Sequence, residues 1–560
     1  MKNCFRSGNV PTICQTLGLV LAFILAAGAP GEAKAKRINT GNRDLAIRWD
    51  NSIRVTGGWR MQNPDSLIIN NPASDESDSK FDKHDMVTAR VDLLSELDVV
   101  YKRKHGFRVS AQFWYDHAYH DTRVRQNPDL AALGIPSSYE NNRYSDFTRK
   151  WYKGVSGELL DAFFFSGVNL GKIPVNLKLG QHTLYWGQAL FYMGGISYSQ
   201  SGLDMRKGIA NPGSGVKELF LPVNQFSFQA QVTRNVSVAG QYFFDWDYYR
   251  APEGGTYLSP VDFIMDGSDR MGVPPLAYLP RSAPVVPDSK NGNWGLDVKW
   301  QPEFMRGGRL AVTYRNFDEK IGWLLMSPDY SSYHAVFPRN TEIFGLSVDG
   351  SVGRLSVAAE IAYRKNAGLK TPALAPVPEG ARGNVWHAAV NAVYLLPTTS
   401  LWSNGSLAAE IYGGHLDKIT KNEALFQGVG YAACRNPLTG VPGSGNKFDG
   451  CATTNALGMS VKFTPQWQEV FPSIDLAMPV SVSYGISGNE ADLTSGNQDS
   501  YTFGIGLEAD IFRRYKAMIA YYGYQGKISR VVNGAYASTN GGTALLKDRG
   551  WLALTFKTTF

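Results

Sequence analysis

The chain closes on Trp551-Leu-Ala-Leu-Thr-Phe-Lys-Thr-Thr-Phe560. Leu552, Leu554, Phe556 and Thr558 take one set of alternate positions, and Trp551, Ala553, Thr555, Lys557 and Thr559 take the other. Side chains alternate across a strand, so one face is greasy and the other mostly polar. Such a strand suits lipid on one side and a wet interior on the other.

A terminal Phe560 on this strand resembles the sorting signal by which barrel assembly machinery receives bacterial outer-membrane barrels. The amino end agrees. Lys2 and Arg6 precede an apolar run from Leu17 to Ala27, and Ala33-Lys34-Ala35 fits a small-residue cleavage site. This is the pattern of a secretory signal over residues 1–35. Its apolar run falls short of the roughly 20 residues a spanning helix needs.

The 560 residues carry a formal charge of +7, too mild for a nucleic-acid role over this length. A content of 12% aromatic residues and 58 Gly, with negative mean hydropathy, fits a barrel whose lipid-facing and lumen-facing residues dilute each other. Cys434 and Cys451 flank a Pro/Gly-rich stretch, and an exported chain is expected to join them as a loop disulfide.

Alternation recurs along the chain. In 45–61, Ile47, Trp49, Ile53 and Val55 oppose Arg48, Asp50, Arg54 and Thr56. A hairpin about Lys102-Arg103-Lys104 sets Val91, Leu93, Leu97 and Val99 outward, with Arg90, Asp92, Glu96 and Asp98 inward. Its return strand turns Phe107, Val109 and Phe113 out and Arg108, Gln112 and Asp116 in. Opposing Asp98 to Arg108 also opposes Arg90 to Asp116. Counting such stretches gives about 18 strands, or 16 if the weak ones at 223–233, 455–464 and 474–487 fail. The gaps alternate long and short, as an even-stranded barrel with long extracellular loops and short periplasmic turns requires. The expected fold is therefore all-β: a single closed antiparallel transmembrane β-barrel over residues 36–560.

A barrel of this size encloses an aqueous channel unless something fills it. The long gap 188–222 is the candidate filler. It is rich in turn formers and carries Asp204, Arg206, Lys207, Lys217 and Glu218. We expect it to fold inward as a constriction, meeting wall charges such as Arg54, Glu96 and Arg108. It would also rest against Lys178, His182 and Trp186 on the strand before it. An ordinary surface loop is the alternative.

Catalytic signatures are lacking. Neither a G-x-S-x-G elbow nor an H-E-x-x-H pair occurs, so no enzyme, cofactor or metal is expected. His117 and His120, read as strand residues three apart, should face opposite sides and share no metal. The acidic loop 62–86, with Asp75, Glu76 and Asp78, reads as a solvated loop; calcium or lipopolysaccharide bridging is its functional alternative.

Several segments carry a family likeness. They are Ser95-Glu-Leu-Asp98, Leu159-Leu-Asp-Ala-Phe163, Leu179-Gly-Gln-His-Thr-Leu-Tyr-Trp-Gly187, Pro212-Gly213, Lys217-Glu-Leu-Phe-Leu-Pro-Val223, Gly255-Thr-Tyr-Leu-Ser259 and Asp262-Phe263. Together they resemble domain-of-unknown-function family 1302, proteobacterial outer-membrane proteins of this length. The resemblance implies an association with hydrophobic carbon sources such as sterols, alkanes and aromatic acids. It also implies proximity to inner-membrane exporters and a periplasmic lipoprotein-like partner, and it brings no catalytic residues.

The resulting expectation is an outer-membrane channel for a hydrophobic or amphipathic small molecule, among outer-membrane lipid and lipopolysaccharide. Two rivals stand: a plugged structural barrel that anchors envelope partners, and a general porin for polar solutes.

Overall fold

The computed structural model describes residues 36–273, 277–494 and 496–560. The expected signal, 1–35, lies outside the described residues. Eighteen wall strands run in chain order. The first six are β1 (Leu45–Arg60), β2 (Met86–Tyr101), β3 (His105–Asp116), β4 (Gly154–Leu170), β5 (Ile173–His182) and β6 (Val223–Gln231). Next come β7 (Val236–Phe243), β8 (Trp294–Trp300), β9 (Arg309–Phe317), β10 (Thr341–Val352), β11 (Leu355–Gly368) and β12 (Arg382–Leu395). The last are β13 (Asn404–Lys421), β14 (Asn455–Phe471), β15 (Ile474–Ala477 with Val480–Ser487), β16 (Tyr501–Ile511), β17 (Tyr515–Gln525) and β18 (Trp551–Thr559).

Each strand pairs antiparallel with its sequence neighbour, and β18 returns to β1 with Ser52 opposite Thr559 and Arg60 opposite Trp551. Closure leaves no unpaired edge, which is what lets a β-sheet sit in lipid. Phe560 adds a last rung: its N–H donates to the Asn51 carbonyl, and its carbonyl accepts from Asn51.

All three weak stretches form wall. β14 runs 17 residues, so the count of 16 is set aside. The short connections, such as 102–104 and 171–172, alternate with long ones as expected. In the β2–β3 hairpin, Asp98 lies opposite Arg108 and Arg90 opposite Asp116. Asp98 and Arg108 form an ion pair at 3.2 Å. Arg90 instead bonds Asp92 on its own strand, while Asp116 accepts from Thr88 and the backbone of Ala89 and Ala118.

Three readings change. β3 ends at Asp116, whose side chain caps a 3-10 turn over His117–Tyr119. The turn brings His117 and His120 to the same side, with rings stacked at 4.6 Å, instead of opposite faces. β5 stops at His182, so Trp186 is not a strand residue. In the acidic loop, Asp75, Glu76 and Asp78 are buried, not solvated. Asp75 accepts the Asn127 N–H and Glu76 the Ser138 N–H, while Asp78 pairs with Arg60 at 2.6 Å. The loop lies inside a cap of extracellular loops, with an apolar centre that includes Phe81, Tyr119, Tyr139 and Tyr257.

Burial in that cap raises the carboxyls of Asp75, Glu76 and Asp262, reinforced by mutual repulsion for Asp75 and Glu76. Burial likewise pushes Glu253 up to about 7 against the pull of Arg206. A raised acid holds a proton in the folded cap that the opened loops would release. Cap stability therefore falls as pH rises out of the ordinary carboxylate range, through about 7 for Glu253 and higher for Asp75 and Glu76. The extracellular loops should accordingly be cut faster by protease at alkaline than at mildly acidic pH. A digestion rate flat with pH, after correction for the protease's own profile, would contradict this.

Candidate functional site

The inward positions of the wall divide by chemistry. β1–β4 present Arg54, Arg90, Asp92, Glu96, Asp98, Arg108 and Glu158. β9–β13 present Arg315, Glu360, Arg364 and Glu410. Between these two arcs, β14–β17 offer Ser460, Ser483, Thr502, Gly504, Tyr522 and Tyr524 around the middle of the wall. Charges appear at Lys462, two residues along from Ser460, and lower down at Glu508 and Asp510.

Residues 188–222 connect the two charged regions. The first part, 188–198, is held through its backbone. Glu410 accepts the N–H groups of Leu190, Phe191 and Tyr192 at 2.6, 2.9 and 2.6 Å. Glu360 accepts those of Gln188, Ala189 and Ile196. Guanidiniums take the carbonyls: Arg364 donates to Gly194 at 2.7 Å, and Arg315 to Ile196 and Tyr198 at 3.0 and 2.7 Å. An irregular buried backbone must place its polar groups somewhere, and here the wall's own charges receive them. Gly195 permits the approach, because a Cβ there would stand 1.8 Å from a Glu360 carboxylate oxygen.

The second part is held through side chains. A short helix, Met205–Ala210, is capped by Asp204. Lys207 meets Glu158, Lys217 meets Glu96, and Glu218 pairs with Arg54 at 3.0 Å. Asn211 donates to Asp92 at 3.1 Å. Burial pushes the Asp204 carboxyl up, but Arg206, 2.8 Å away, overrides it and holds the group down at about 2. Arg206 also lies over the Trp151 ring, 4.1 Å from its centroid.

The segment therefore contacts β9, β11 and β13 with one end and β1, β2, β4 and β18 with the other. Not every expected neighbour joins it. Arg108 binds Glu96, Asp98 and Asp161 within the wall. Lys178 lies over Phe163, and His182 bonds Gly180 and Ser227. Trp186 does touch the segment, donating its backbone N–H to Gln200 at 2.7 Å. Glu158 and Glu410 were not singled out from the sequence. Their strand parity, opposite Leu159 and Ile411, carried that signal.

Between the segment and β13–β17 a cavity of about 480 Å³ remains. Met193, Met205 and Ile209 line it from the segment, and Tyr412, Ser460, Ser483, Gly504, Tyr522 and Tyr524 from the wall. Glu490, from the loop after β15, is the one charged side chain in its lining. Directly below, Gly213, Glu508, Lys516, Met518 and Lys557 border a second space of about 400 Å³ toward the short-turn end. The two spaces share β16, β17 and the Pro212-Gly213 corner. Away from the lumen, Cys434 and Cys451 are disulfide-bonded in the loop between β13 and β14.

A closed 18-stranded antiparallel barrel with an apolar outer face and a polar interior is an outer-membrane β-barrel of a Gram-negative envelope. The chain belongs to the family described as "Protein of unknown function (DUF1302)", whose model matches residues 16–560. Comparison with curated proteins returns no match. Among solved structures, the chain is similar to Acinetobacter baumannii OccAB1, with 9% identity over 94% of this chain and 99% of that one and a TM-score of 0.42. It is similar to Pseudomonas aeruginosa OpdK with vanillate, with 9% identity over 92% and 98% and a TM-score of 0.39. It is also similar to the outer membrane channel DcaP of A. baumannii, with 9% identity over 92% and 97% and a TM-score of 0.36.

Proposed function

We propose that this barrel is a passive channel for a hydrophobic or amphipathic small molecule, with residues 188–222 as its constriction. The observation that supports this is the cavity of about 480 Å³ along β13–β17, where Glu490 is the one charged side chain in the lining. Its size falls in the roughly 300–1,000 Å³ range of small-molecule sites, and its lining of apolar, aromatic and hydroxyl groups suits a molecule with little charge. The wall's charges do not oppose this reading, because most are paired with the segment or with each other on the flanking strands. In this reading the molecule passes along β14–β17 and leaves at the periplasmic mouth. A periplasmic lipoprotein-like partner or an inner-membrane exporter would receive or supply it there.

Narrowing the cavity from both sides tests the route. Ile209→Trp combined with Ser483→Trp adds bulk that packed sites resist by roughly 1–3 kcal/mol per overpacked position. Flux of an apolar probe into liposomes should fall by about tenfold or more, with the barrel still folded by its heat-dependent gel mobility. An unchanged apolar flux would remove this route. Faster flux of a sugar than of an apolar probe of equal size would favour the general porin, and flux of neither would favour the structural plug.

A further inference from the structure

The short-turn rim carries a repeated pairing that the barrel's closure does not require. Leu170, Val232, Phe304, Val352 and Phe512 stand at the turns after β4, β6, β8, β10 and β16, and they are 66, 44, 75, 83 and 66% exposed. One or two residues further on in each turn comes a cation: Lys172, Arg234, Arg306, Arg354 or Arg513. All five cations are exposed, and among the described residues none has an ion pair. A sixth turn repeats the theme, with Lys102 over the ring of the exposed Tyr101 at 5.2 Å.

An apolar residue held in water gains nothing, and a repeat across five separate turns is not one residue's accident. The spacing has a simple physical match. At a membrane surface, the apolar side chain enters the boundary of the acyl region while a neighbouring cation reaches the phosphate level. These turns end strands that cross the bilayer, so they sit at that depth. We propose that the periplasmic rim is a docking ring for anionic glycerophospholipid headgroups, which hold the barrel at a set depth in the inner leaflet. The ring is not uniform. The turn between β14 and β15 exposes Phe471 beside Glu469 and Asp475, so it keeps the apolar anchor and lacks the cation. Anionic lipid should therefore gather on the arc from β2 to β11 and at the β16–β17 turn, and avoid the turn between β14 and β15. This inference is independent of what passes through the lumen.

The test uses full-length protein folded into vesicles of phosphatidylcholine, alone or mixed with phosphatidylglycerol, and extracted for native mass spectrometry of retained lipid. Each surface cation contributes on the order of a fewfold preference, so about a tenfold enrichment of phosphatidylglycerol over its share of the vesicle is expected. Reversing the five cations (Lys172→Glu, Arg234→Glu, Arg306→Glu, Arg354→Glu, Arg513→Glu) should abolish the enrichment. Phe304→Ser with Val352→Ser should lower it while leaving the charges in place. Equal retention of the two lipids by the wild-type protein overturns the proposal, and that comparison needs no variant to fold. Displacement of the retained lipid by soluble glycerol phosphate also overturns it, since that would mark a phosphate site instead of a lipid surface.

Discussion

Excising residues 200–216 is expected to raise single-channel conductance in planar bilayers several-fold while the barrel still folds. An 18-stranded wall surrounds an aqueous channel when its interior is empty. The excised stretch supplies Lys207 to Glu158 and Asn211 to Asp92, so both wall carboxylates lose a partner. Each keeps a guanidinium, Arg250 for Glu158 at 2.8 Å and Arg90 for Asp92 at 3.0 Å, so neither is left as an unpaired buried charge. Water entering the vacated lumen would hydrate both groups, which is why the barrel should survive the excision. Glu218 lies beyond the cut and can keep Arg54. Conductance equal to that of the intact protein would remove the constriction and put the general porin ahead.

The second large effect should come from the wall itself. Glu360→Ala with Glu410→Ala deletes the acceptors of six backbone N–H groups in 188–196. Hydrogen bonds to charged groups contribute about 1.5–3 kcal/mol each and do not add fully, so about 3–6 kcal/mol of holding energy is at stake. At roughly 1.4 kcal/mol per decade, an opened arrangement of this stretch becomes at least about a hundredfold more populated. Recordings should show frequent transitions to a larger conductance where the wild-type trace is quiet. Glu508→Ala is the control, since Glu508 faces the lumen but bonds Lys516 on the next strand. If the control flickers as much as the double variant, loss of a lumen charge, and not release of the segment, is the cause.

Much of this protein is local in character. Alternation in Leu45–Arg60, in the β2–β3 hairpin and in Trp551–Thr559 assigns inside and outside, because a charge facing lipid costs up to roughly 2–4 kcal/mol at mid-bilayer. The register that sets Asp98 against Arg108 follows from the same constraint, since a one-residue slip would turn every side chain over. The parity of long and short gaps then orients the barrel. Strand ends were less legible. β3 and β5 stop where Asp116 caps a turn and where the chain leaves the wall after His182, and neither stop carries a Pro or Gly at the break.

The amino-acid pattern alone establishes the barrel, its strand number to within one pair, its orientation and most of the inward charges, Glu158 and Glu410 excepted. All of these follow from a period of two applied against lipid. How those charges are used depends on the folded barrel. Glu360 and Glu410 bind backbone N–H groups, which have no side-chain signature that a sequence could show. Asp75, Glu76 and Asp78 resemble a solvated acidic loop until the loops that bury them are brought together. The cavity exists because the segment's ends find partners on β1–β4 and β9–β13 and find none along the middle of β14–β17 among the described residues. That vacancy is a difference between distant walls, and no window of sequence contains both.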